Sequence, residues 1–139
     1  MGDPTVAFSD HQQALQELLN GATEASEAME SEELVAIEVE RTLREQRDHV
    51  ANIEAGIAAQ VSREKDDETG KALFSNDIQR KAEVAERLAV HNVYRDAVRG
   101  LAETEGEQRV RRIRIEKLSR DYSIAKLAFE VIGIGRRER

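Results

Sequence analysis

Between Arg109 and Arg120 the chain carries six bases, Arg109, Arg111, Arg112, Arg114, Lys117 and Arg120, against the single acid Glu116. Arginine presents a planar fork of donors that fits phosphate or carboxylate oxygens two at a time. On a helix, Arg111, Arg114 and Lys117 fall toward one side, and Arg109, Arg112 and Arg120 toward another. Three kinds of counterpart fit such a cluster: the acids Glu38, Glu40, Glu45 and Asp48 of the same chain, the phosphates of a nucleic acid, or an acidic protein. No aromatic residue is interleaved with the bases, so stacking of nucleobases on this surface is not supported.

Other chemistry finds few candidates. His11, His49 and His91 are scattered, without a second ligand at zinc spacing. The chain has no Cys, which excludes thiolate ligands, cysteine nucleophiles and disulfides. Gly70-Lys71 is a fragment of a phosphate loop, with neither the upstream Gly nor a preceding strand. Acids are plentiful, but paired catalytic carboxylates need a pocket that separates their pKa values. Pairs such as Glu40–Arg44 and Glu83–Arg87 read instead as i,i+4 pairs on solvated helix faces. The expectation is a chain with no catalytic residues, no metal and no cofactor.

The elements that would carry the basic cluster follow from the composition. Charged residues make up 35% of the 139 and aromatics 4%, with a single Pro and no Trp, a profile of long helices joined along narrow seams. Ser9 with Gln12 resembles a capping box, and Ala14, Leu15, Leu18 and Leu19 continue a short first helix that Asn20-Gly21 should stop. A second helix is predicted from Ser31 to about Lys65. Its heptad stripe is Ala36, Val39, Leu43, Val50, Ile53 and Ile57, with Gln46 interrupting at a seam position. Asp66 to Gly70 is a polar break, and Ser75 or Asn76 should cap a short helix over 77–90. Asn92 is a candidate cap for a last helix over 93–132, which Gly133 and Gly135 should end. That helix shows one seam at Ile115, Leu118, Tyr122, Ala125, Phe129 and Ile132, and further apolar residues at Val110, Ile113, Ile124, Leu127 and Val131. Two stripes exceed what one partner helix covers. Ile113, Ile124, Leu127 and Val131 are therefore the expected contacts of a homo-oligomer, a dimer in the simplest case.

The fold expected is all-α: a long antiparallel, coiled-coil-like helical hairpin over 31–133, with a short helix at its bend. An acidic helical arm over 1–30 precedes it and a basic tail over 134–139 follows. Residues 1–40 contain ten acids and no Lys or Arg, whereas the remaining residues hold all 21 bases and 18 acids. Such asymmetry fits either an acidic arm with its own partner or a solvated, partly flexible N-terminus. No apolar run is long enough for a bilayer, and Met1 to Phe8 lack the pattern of a signal peptide, so no membrane contact and a cytoplasmic location are expected.

The stretch Asp66–Asp96, DDETGKALFSNDIQRKAEVAERLAVHNVYRD, resembles a group of small helical proteins of bacteriophages and prophages. The group shows an aromatic-Ser-Asn start, an Arg shortly after, a short helix ending in Leu and a Tyr opening a long final helix. The matching residues are Phe74, Ser75, Asn76, Arg80, Leu88 and Tyr94, and the resemblance extends along the last helix to about residue 132. Members are often encoded beside single-strand-annealing recombinases. The resemblance implies a non-enzymatic accessory or adaptor protein that acts through protein contacts near phage DNA recombination, in the host cytoplasm. Direct nucleic-acid binding through residues 109–120 and a purely structural, scaffolding role are the alternatives.

Overall fold

The computed structural model describes the backbone from Pro4 to Arg137 and the side chains from Ser9 to Gly133. It contains three helices: α1 (Pro4–Arg63), α2 (Asp77–Ala89) and α3 (Asn92–Arg137). They account for 60, 13 and 46 residues. The chain is all-α, with one isolated bridge between Lys65 and Ala72 and no strand among the described residues.

The first helix differs from expectation. It does not stop at Asn20-Gly21 and restart at Ser31, but runs unbroken from Pro4 to Arg63. Pro is well placed at a helix start, where its missing N–H has no partner to lose. Ser9 is therefore interior, not a cap. Covered positions explain the continuity: His11, Ala14, Leu18, Ala22, Ala25, Met29, Glu32 and Ala36 are all partly covered, at steps of three or four. Tertiary packing along that stripe outweighs the roughly 1 kcal/mol that Gly21 costs an exposed helix. At the other end α3 continues through Gly133 and Gly135 to Arg137, so the tail over 134–139 begins as helix. Its side chains, and residues 138 and 139 altogether, lie outside the described residues.

Contacts divide the chain into two units, 1–38 with 109–139, and 39–108. In each, α1 and α3 run antiparallel, the pairing expected of a hairpin. In the first, Glu32 meets Arg111 while Ala14 and Leu18 lie near Ala125. In the second, Gln46 lies against Gly100 and Glu54 against Tyr94.

The second unit holds the core. Val39, Leu43, Ile57 and Val61 are buried, and Leu43 is only 1% exposed. Gln46, Val50 and Ile53 lie between them, partly covered, as the heptad stripe predicts. Gln46 Oε1 is buried without a hydrogen-bond partner. The first unit has no fully buried apolar side chain among its described residues, and half of its α1 stripe is Ala.

The bend between α1 and α2 is built from backbone hydrogen bonds. Asp66 N–H donates to Lys71 O (2.8 Å) and Leu73 N–H to Glu64 O (2.9 Å). Asp66 Oδ1 accepts from the N–H groups of Glu68 and Thr69, and Gly70 closes the turn at φ +67°. That left-handed backbone favours glycine, because a Cβ there crowds the following carbonyl. Asn76 caps α2, its Oδ1 accepting from Gln79 N–H at 2.8 Å. The cap of α3 is His91 rather than Asn92: His91 Nδ1 accepts from Tyr94 N–H (3.0 Å) and His91 O from Arg95 N–H (3.0 Å). The imidazole fills the place a Ser or Asp would take, and Asn92 becomes the first residue of the helix.

Two glycines sit inside α3 without need. A Cβ on Gly106 meets nothing within 4 Å, and one on Gly100 meets only Gln46 Nε2 at 3.7 Å, an ordinary contact. Gly100→Ala and Gly106→Ala should each stabilise the chain by about 1 kcal/mol. Urea unfolding followed by circular dichroism checks this, and a loss of stability at Gly106 would refute it.

Candidate interaction surface

The six bases do not form one surface. Arg111 donates to Glu32 Oε2 at 3.0 Å and Arg114 approaches Glu32 Oε1 at 3.9 Å. Glu32 occupies a seam position of α1, and the helix register sets it opposite Arg111. The cross-helix acid serving Arg111 and Arg114 here is thus Glu32, one turn or more before the acids expected from the sequence. Its carboxylate and the Arg111 side chain are both mostly covered, which shields the pair from water. Lys117 borders the shallow depression beside them, lined also by Ala28, Ser31, Leu118 and Asp121.

Arg109, Arg112, Lys117 and Arg120 are exposed, and no salt bridge reaches them among the described residues. Lys117 and Arg120 lie in line with the second apolar stripe of α3, between Ile113 and Ile124, and Arg109 and Arg112 lie near its first turn. Ile113, Ile124, Leu127 and Val131 are 63%, 67%, 62% and 61% exposed, so the four residues expected to make an oligomer contact all face solvent in the single chain. Val110 is exposed with them, and Phe129, expected in the inner seam, is 43% exposed. The inner seam keeps Ile115, Leu118, Tyr122, Ala125 and Ile132 partly covered.

A corresponding stripe on α1, not among the expected contacts, is exposed as well. Leu19, Leu34 and Ile37 are also exposed, Leu34 and Ile37 to 61% and 62%. The signal was there: Leu34-Val35-Ala36-Ile37 is apolar on every side of a helix, more than one seam can hide.

A separate ionic cluster closes the bend in the second unit. Arg87 donates to both oxygens of Glu64, Nη1 to Oε1 at 2.7 Å and Nη2 to Oε2 at 2.5 Å, and its Nε donates to Glu83 at 2.8 Å. The Arg87 guanidinium also lies over the Phe74 ring, 6.0 Å from its centre. Arg80 donates to Phe74 O (3.3 Å) and to Asp77, and Tyr94 OH donates to Glu54 at 2.9 Å. The two acids on Arg87 hold its guanidinium pKa well above the ordinary range, first through the Glu64 hydrogen bonds. The Tyr94 phenol is raised, first because ionising it would give up the hydrogen bond it donates to Glu54, and then by its partial burial and the nearby Glu54 charge. Phe74, Asn76, Arg80 and Tyr94 thus have structural work at the bend, which is a reason for them to occur together in any protein built this way.

No group of three or more His, Asp or Glu able to hold a metal is found among the described residues. No described helix is long and apolar enough to cross a membrane. Comparison with protein families, curated proteins and solved structures finds no match to this chain.

The Glu64 carboxyl is lowered from its ordinary 4.5, chiefly by the hydrogen bonds from Arg87. A lowered acid stabilises the folded state above its unfolded pKa, and that stabilisation is lost as pH falls through the folded value. Thermal unfolding should therefore drop in midpoint as pH falls below 4.5, and Glu64→Gln should show a shallower acid decline than the unchanged chain. Identical acid limbs in the two would show that the cluster contributes nothing.

Proposed function

We propose that this chain is a non-enzymatic helical adaptor that acts by holding a protein against the outer face of α3. One observation carries the proposal: the ladder Ile113, Ile124, Leu127 and Val131 is more than 60% exposed on a helix whose other face is already engaged. Exposed apolar residues at helical spacing, flanked by cations, fit an amphipathic helix with an acidic margin. The resemblance of residues 66–96 to phage proteins supports a setting in phage DNA recombination, in the cytoplasm of the host cell.

A second reading, direct binding of nucleic acid, is favoured by the outward direction of Arg109, Arg112, Lys117 and Arg120. Its residue assignment differs from the six bases taken together, because Arg111 and Arg114 face Glu32.

Two measurements test these readings. Affinity purification of the full chain from its host should recover specific proteins that the Ile124→Asp/Leu127→Asp chain loses while keeping its helix content. Equal recovery by both chains would overturn the adaptor. For nucleic acid, anisotropy with a single-stranded oligonucleotide at about 50 mM salt should show binding, since low salt favours even weak phosphate contacts. Arg112→Ala and Arg120→Ala should each then flatten the slope of log K against log[salt] by about 0.7. Absence of binding would dismiss the second reading.

A further inference from the structure

Within the first unit both helices carry an outer stripe, and the two stripes match in opposite charge. On α3 it is Ile113, Lys117, Arg120, Ile124, Leu127 and Val131, at steps of four, three, four, three and four. On α1 it is Leu19, Thr23, Glu27, Glu30, Leu34 and Ile37, at steps of four, four, three, four and three, all exposed. Spacing of this kind keeps residues in line on a gently supercoiled helix. Each stripe is apolar toward its ends and charged in the middle, acidic on α1 and basic on α3.

The order along the helices decides what fits. Laid antiparallel, Leu34 and Ile37 fall opposite Val110 and Ile113, Glu30 opposite Lys117, and Glu27 opposite Arg120. The same alignment sets Thr23 opposite Ile124 and brings Leu19 to the level between Leu127 and Val131. This is nearly the register that the chain already uses internally, where Glu32 meets Arg111 and Arg114. Two α3 stripes paired antiparallel about their centre would instead set Lys117 against Leu127 and Arg120 against Ile124, so bases would face apolar residues without a counter-charge, which desolvation opposes.

We infer that the occupant of the α3 outer face is α1 of a second copy of this chain, antiparallel and in the internal register. The inference rests on the adaptor reading's choice of face and names its partner. It also sets the symmetry. Each outer stripe lies roughly 150° around its helix from the inner seam, at about 100° per residue. A two-fold dimer making this contact twice would close a four-helix bundle of nearly antiparallel helices, in which the two contact stripes of each helix lie about 90° apart around it. Stripes on opposite sides of each helix do not close that way, so the contact is heterologous and adds copies side by side. It also covers the apolar surface of the unit with no buried apolar side chain of its own.

Sedimentation velocity on the full chain at micromolar concentration tests this. A species larger than two chains is expected. Lys117→Glu/Arg120→Glu and Glu27→Lys/Glu30→Lys should each weaken assembly by at least about tenfold, as like charges then face each other. Mixing the two variants should restore assembly, because every contact in the mixture again pairs opposite charges. A wild-type mass of two chains or fewer overturns the inference and leaves the adaptor face to its own test. If assembly survives both charge reversals but is lost in Ile124→Asp/Leu127→Asp, the face is right and its α1 occupant is wrong. If a reversal unfolds the chain, Lys117→Gln/Arg120→Gln decides: wild-type assembly should weaken from about 50 to about 500 mM salt more steeply than the variant's, and equal slopes overturn the inference.

Discussion

Two helices lying side by side can hide only one narrow stripe of each, and the rest of this structure depends on that limit. The stripe is spent differently along the chain. In the second unit it is filled by Val39, Leu43, Ile57 and Val61, all buried. In the first it is filled by Ala14, Ala22, Ala25 and Ala36, which hold helices close but remove little apolar surface from water. Several large apolar residues of that unit, Leu34, Ile37, Ile113, Ile124, Leu127 and Val131 among them, lie instead on the backs of its helices.

Polar residues inside the seam then choose the register. Glu32 accepts Arg111 across the first unit, and Gln46 sits against Gly100 in the second. A slip by one turn would strand the Glu32 carboxylate without its guanidinium, and a covered charge without a partner is costly. Gln46 Oε1, buried and unbonded, shows that the second contact places a side chain by shape and not by a completed hydrogen bond. Apolar stripes alone tolerate several alignments, so the charged contact narrows the choice.

Much of this was legible in the residues. The heptad from Ala36 to Ile57, the break at Asp66–Gly70, the Asn76 cap and the Glu83–Arg87 pair can all be read from spacing and turn chemistry. Read backward from Ala36, the same steps reach Glu32, Met29, Ala25, Ala22, Leu18 and Ala14. Alanine carries a weak hydrophobic signal, and Asn20-Gly21 a strong stop signal, so local chemistry hid a helix that long-range packing continues. The split of the basic cluster required knowing which acid stands opposite, which is a property of register and not of composition. His91 escaped because an imidazole accepts at a helix start too rarely to be expected there.

The hydrogen bonds that join the helices also differ in how much chain they enclose. Arg87 and Glu64 are 23 residues apart, Tyr94 and Glu54 are 40, and Arg111 and Glu32 are 79. Closing a loop costs more entropy as it lengthens, but once the bend has formed each next contact adds only a few residues to a loop already closed. Folding that starts at the bend can therefore proceed like a zip, each pairing made from its neighbour, with Glu32 and Arg111 among the later contacts. In the unfolding direction the order reverses. Amide hydrogens near the chain ends should exchange first, and those beside Leu43 and Val61 last.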